Sequence, residues 1–193
     1  MHLFLHNTTK KRALIIISLQ SIAIVCNMPY NGDSYCGNGG KKVLLKEIVE
    51  GKRYAFYKEA ADWKDSIKKS CAPLVATNCA TEEYAQRIIE CVEELGPYIV
   101  IVPGLAIPHS TKGSPGVQKT SIAFAKFETP VRFDENDPDK DATLFFTLAA
   151  VDEEEHLKNM RQLFLILSDE ELLEKLAQVN TAEELLELDQ LLS

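Results

Sequence analysis

His109 and His156 are the two residues whose type and setting suit them best for chemistry. His109 closes the run Gly96-Pro97-Tyr98-Ile99-Val100-Ile101-Val102-Pro103-Gly104-Leu105-Ala106-Ile107-Pro108-His109. That run reads as a helix stop, a β-branched apolar stretch and a Gly/Pro loop ending on an imidazole. Pro108 has a locked φ and no N–H, so it stiffens the loop and pushes Ile107 towards extended geometry. An exposed imidazole there, with an ordinary pKa near ~6.5, is substantially neutral at cellular pH. A neutral imidazole nitrogen can be a nucleophile towards phosphorus, a metal ligand or a general base. The plain alternative is a loop histidine without a role. His156 lies in Asp152-Glu153-Glu154-Glu155-His156-Leu157, near the start of a helix directly after an apolar strand. It could hydrogen-bond a phosphoryl group on the first histidine, with helix N–H groups favouring the anion, or be a solvated residue on a charged turn. Both adjoin the ends of core strands, where α/β folds gather their sites.

Other chemistries find less support. Metal binding has no HxxxH or HxH spacing to stand on. A Ser-His-Asp hydrolase needs an elbow such as GxSxG, and Ser110 beside His109 is no substitute. Neither a Walker loop nor GxGxxG is present, and the Gly37–Gly40 cluster lacks the preceding strand a nucleotide loop requires. If phosphate is handled, it arrives already on a protein.

The elements that must position the histidines follow from periodicity and capping. Val43–Glu50 reads as a short helix ended by Gly51, and 54–58 as a β-prone run. Asp62 caps a helix starting at Trp63, with Asp65 as return partner; Pro73 is expected to kink or split it. Thr81 caps the next helix, whose face is Tyr84, Ile88, Cys91, Val92 and Leu95, and Gly96-Pro97 stops it. The pattern at 98–102 predicts a strand covered on both faces, as do 120–127 and 143–150. Pro130–Phe133 and an acidic loop, 134–141, come between the last two. The C-terminal third reads as helical, with capping-box spacing in Asp152/Glu155, Ser168/Glu171 and Thr181/Glu184. The expected architecture is α/β: one domain over 43–193, a mixed β-sheet flanked by helices on both faces. There is no internal repeat.

The chain has 193 residues and a net charge of −8. Residues 1–42 carry Lys10, Lys11, Arg12, Lys41 and Lys42 against Asp33, about +4, so the remainder carries about −12. An acidic body argues against a nucleic-acid surface and fits docking to a basic partner. The five cysteines are odd in number and form no CxxC pair, which reads as reduced thiols of a cytosolic protein. Residues 1–42 form an N-terminal extension with its own signals. Lys10-Lys11-Arg12 and the apolar stretch to Val25 resemble the n- and h-regions of a signal peptide, without a clean cleavage site. Asn31–Gly40 follows as a glycine-rich linker. Targeting or tethering, sequence upstream of a start at Met28, and a structured accessory segment all remain open.

The Gly96–His109 run, the strand entry Gly116-Val117-Gln118-Lys119-Thr120-Ser121, and Leu148-Ala149-Ala150-Val151-Asp152 with His156 beyond resemble the IIA component of bacterial phosphoenolpyruvate-dependent sugar phosphotransferase systems. Within the mannitol/fructose superfamily they look most like the ascorbate branch, over about 43 to the C-terminus. The resemblance implies the mannitol-type IIA fold and a cytoplasmic phosphocarrier. His109 would accept a phosphoryl group from phosphorylated HPr as a tele-phosphohistidine and pass it to a cysteine of a IIB component. His156 would hold the phosphoryl oxygens or stabilise the transferred charge, and the Ser110 hydroxyl, where the family often has glycine, would be a phosphoryl contact. Membrane IIC would be met only indirectly, a homodimer is compatible, and no metal, nucleotide or other cofactor is implied. A regulatory, nitrogen-type IIA that signals through its phosphorylation state is the alternative. The chain departs from the mannitol pattern where Glu93 replaces an arginine, with Arg87 a turn and a half away, and at Pro73. Residues 1–42 have no counterpart.

Overall fold

The computed structural model describes residues 41–191 apart from Lys112 and Ser168. The N-terminal extension therefore lies outside the described residues, except that Lys41 and Lys42 already belong to the first helix. That helix, α1 (Lys41–Glu50), leads to β1 (Tyr54–Tyr57). Two amphipathic helices follow, α2 (Trp63–Ala76) and α3 (Glu82–Leu95). Then come β2 (Val100–Val102), β3 (Gly104–Ala106) and the long β4 (Ser121–Arg132). A single 3-10 turn, Pro138–Lys140, precedes β5 (Asp141–Ala149). The chain ends in α4 (Glu153–Leu167), α5 (Glu170–Leu176) and α6 (Ala182–Leu191).

The five strands lie in the order β1-β4-β5-β3-β2. The centre is an antiparallel pair, running from Ser121 opposite Ala149 to Arg132 opposite Asp141. β1 joins β4 in parallel, β3 joins β5 in parallel, and β2 turns back antiparallel on β3. Successive side chains of a strand alternate between faces. Ala123, Ala125 and Phe127 accordingly share a core with Ile67 and Leu74 of α2 and with Ile88 and Val92 of α3. Ile122 and Phe124 are buried on the opposite side, where α1 packs on β4 and α4 on β5. On that side Lys126 is also buried, its Nζ donating to Val179 C=O at 2.8 Å and Asn180 Oδ1 at 3.0 Å. The mixed sheet with helices on both faces is as the sequence predicts.

Several local expectations need correction. α2 runs through Pro73 without a break. Pro73 removes the amide that would have bonded Lys69 C=O, but the Tyr57 hydroxyl donates to that carbonyl at 3.1 Å and fills the gap. The 98–102 run yields only three strand residues, at the sheet edge rather than covered on both faces. Pro103 offers no N–H, and Gly104 at φ 89° turns the chain straight into β3, a strand hidden in what reads as a loop. β4 continues to Arg132, across the 130–133 stretch expected to lie between strands.

The caps are mixed. Asp62 Oδ1 accepts from Asp65 N–H at 2.8 Å, but Asp65 reaches back to Ala61 rather than to Asp62. Thr81 stands at the N-cap of α3 without a side-chain cap bond. Thr181 and Glu184 form the reciprocal box. α5 is capped by Asp169, one residue after the expected Ser168.

Candidate active site

The segment after β3 is held group by group. The Ile107 N–H donates to Ile99 C=O at 2.7 Å, and the Leu148 N–H donates to Pro108 C=O at 2.9 Å. The loop therefore stays pinned between β2 and β5 after formal strand pairing has ended. On the far side, the Thr81 N–H donates to Gly116 C=O at 2.7 Å, tying the loop's end to the start of α3. A Cβ on Gly116 would stand 2.7 Å from the Tyr84 nitrogen, so this approach needs glycine.

Within that frame His109 is half-buried. Its Nδ1 lies 2.8 Å from Ile107 C=O; a carbonyl only accepts, so Nδ1 carries the proton and donates. The lone pair is left on Nε2. The Tyr98 ring meets the imidazole edge-on, with centroids 5.2 Å apart at 84°. Tyr98's hydroxyl donates to the His109 carbonyl. The His156 ring is 5.5 Å from that of His109, inclined by 41°.

His156 sits in the first turns of α4. Asp152 starts the helix, its carboxylate accepting from the Glu155 N–H at 2.9 Å and its carbonyl from the His156 N–H at 3.0 Å. Burial pushes the His109 pKa down to about 4; nearby His156 lowers it further, and the bond to Ile107 C=O opposes the shift. Burial also lowers His156, against Glu153, which raises it. Two neutral imidazoles thus face each other at neutral pH, beside the N-terminus of a long helix.

The sequence-predicted site residues meet in part. His109 and His156 are brought together. Ser110 is adjacent, but its hydroxyl stands 3.9 Å from Cys91 Sγ of α3, which also accepts from Thr111 Oγ1 at 3.7 Å. Arg87 pairs with Glu90, and Glu93 with Lys64. Tyr98 and Tyr84 are the residues that sequence reasoning missed. Tyr84 was legible only as one apolar position on a helix face, and Tyr98 only as a strand residue. Among the described residues, no group of three or more His, Cys, Asp or Glu could hold a metal ion, and no helix is long and apolar enough to cross a membrane. Cys71, Cys79 and Cys91 are free and buried.

Residues 47–190 match the family of the phosphoenolpyruvate-dependent sugar phosphotransferase system, EIIA 2. The chain belongs to that family. Among EIIA relatives, the ascorbate-specific PTS system EIIA component of Escherichia coli (strain K12) is 34% identical over 148 residues, covering 75% of this chain and 94% of the relative. The crystal structure of the mannitol IIA from Escherichia coli superposes with a TM-score of 0.61 at 28% identity, covering 72% of this chain and 96% of that one. The mannitol IIA in complex with phosphorylated IIB from the same organism gives 0.62 at 28% identity, covering 72% and 94%. As an EIIA component, the chain is a phosphotransferase that carries a phosphoryl group on a histidine and passes it to a IIB component.

Proposed function

We propose that His109 is that histidine and that Nε2 is the attacking atom. The single observation carrying this reading is the Nδ1–H bond to Ile107 C=O, which fixes the tautomer and leaves the Nε2 lone pair for phosphorus. In the first step Nε2 attacks the phosphoryl group of phosphorylated HPr. The new N–P bond forms as the donor's N–P bond breaks, and the donor imidazole recovers its electron pair. In the second step a IIB cysteine thiolate attacks phosphorus, forming an S–P bond and returning the electron pair to Nε2. Positioning and charge stabilisation supply most of the acceleration in such transfers. His156, at ring-to-ring distance 5.5 Å, supplies the second. A dianionic phosphoryl group beside it favours its protonated form, so it becomes a hydrogen-bonding cation when the phosphate is present.

The system is the ascorbate one, in line with the ascorbate-specific relatives, which favour a carrier over the nitrogen-type regulator. The working domain spans 43–193. It acts in the cytoplasm, meets HPr and IIB directly and IIC only through them; Ser110 lies at the margin of the phosphoryl site. The test is incubation with enzyme I, HPr and labelled phosphoenolpyruvate, beside a His109→Ala variant. Acid-labile label is expected on the wild type only. An equally labelled variant would place the acceptor elsewhere.

A further inference from the structure

We infer that Tyr98 and Tyr84 are positioning residues for phosphoryl transfer, holding by its two edges the peptide unit that carries His109. This rests on the reading of His109 as acceptor. The His109 carbonyl and the Ser110 N–H belong to one planar unit, so fixing both fixes the plane. The Tyr98 hydroxyl donates to the carbonyl, and the Ser110 N–H donates to the Tyr84 hydroxyl oxygen at 3.4 Å. A phenol has one donor and acceptor lone pairs. Tyr84 uses its donor on Leu148 C=O, so one buried hydroxyl joins the peptide after His109 to β5.

Three elements converge on this one plane. Tyr98 enters from just before β2, Tyr84 from α3, and Leu148 from β5. β5 ends at Ala149 and three residues, 150–152, lead from it to the helix that bears His156, so the same hydroxyl links the segments of both imidazoles. A flip of the 109–110 peptide would break both tyrosine bonds. Tyr84 is 3% exposed, and burial raises both phenols above their ordinary pKa, so they stay protonated donors across the physiological range. A packing role alone would need the rings and not the hydroxyls.

The experiment removes the hydroxyls and keeps the rings, in Tyr98→Phe and Tyr84→Phe. Single-turnover transfer from phosphorylated HPr is expected to fall about tenfold in kcat with KM within about twofold, because orientation rather than encounter is lost. In imidazole 15N spectra, His109 of Tyr98→Phe is expected to show a mixture of tautomers, because the freed peptide lets the ring drift from Ile107 C=O, while thermal unfolding stays cooperative. Wild-type rates together with a wild-type tautomer would overturn the inference. If Tyr84→Phe does not fold, Tyr98→Phe decides alone, since its ring is only half-buried. His109→Ala in the same assay separates the two claims. If it loses label while the Phe variants behave as wild type, only the clamp fails. If it keeps label, the acceptor reading fails, and the tautomer in Tyr98→Phe still decides whether the hydroxyl orients the ring.

Discussion

The β4–β5 pair and the β2–β3 pair are built from similar apolar residues and held in different ways. β4 and β5 pair over a long antiparallel register and bury Phe124, Phe127, Phe145 and Phe146 completely. β2 and β3 are three residues each, and the loop beyond them depends on individual bonds from Ile107, Pro108, His109 and Ser110 to named partners. Burial of apolar area is large but non-directional. It decides which layers meet without orienting an imidazole. Directional hydrogen bonds add little to stability each, yet they set angles. The proposed acceptor, His109, sits where the second kind of force takes over.

Variants can break this contrast or sharpen it. His109→Ala should abolish acid-labile labelling while leaving urea unfolding nearly unchanged. Phe145→Ala should do the reverse, costing about 3–5 kcal/mol in urea unfolding while the folded fraction still takes label. A labelled His109→Ala or an unlabelled, folded Phe145→Ala would erase the distinction. His156→Ala should still accept phosphate but slow onward transfer to IIB on the order of a hundredfold, as when one preorganised donor to developing charge is lost. Unchanged single-turnover rates in both directions would remove His156 from the site.

Protonation sharpens the contrast further. The folded-state pKa of His109, about 4, lies below the ordinary ~6.5 expected of the unfolded chain. Between those values the unfolded state binds the extra proton, so the histidine's contribution to stability is present above ~6.5 and is lost as pH falls towards about 4. Urea midpoints should therefore drop from pH 7 to pH 5 more in the wild type than in His109→Ala. Phosphoryl acceptance should stay flat from pH 8 to 6 and decline as pH approaches 4. A rate already halved at pH 6.5 would contradict the buried setting. The smallest effect belongs to the scaffold. Tyr57→Phe should cost about 1 kcal/mol by orphaning Lys69 C=O, and less in a Pro73→Ala background, where the restored amide takes that carbonyl.

Sequence patterns read the two regions unequally for the same reason. Continuous apolar runs located β4 and β5, and capping residues located α2 and α6, because those signals are local. β3 was hidden because Pro103, Gly104 and Pro108 carry the composition of a loop, although bonds to Ile99, Ala142 and Leu148 hold the chain extended. The rescue of Pro73 by Tyr57 needed a residue sixteen positions earlier. His109 and His156 were legible from their places beside strand ends and from family resemblance. Tyr84 and Tyr98 were not, since a phenol's partner is a tertiary fact. Ser110 was legible as a neighbour of the histidine, while its hydroxyl's place near Cys91 depends on α3.

The first and last helices of the domain lie against each other, and the Lys46 N–H donates to Asp189 Oδ1 at 3.4 Å. Both ends of the domain therefore leave from one place, distant in sequence from the strands that carry the histidine loop. A permuted chain, with Leu191 joined to Lys41 by a few flexible residues and opened in the acidic 134–137 loop, should rebuild the same sheet. Another domain could likewise be appended at either end without lengthening the route from that junction to the imidazole pair.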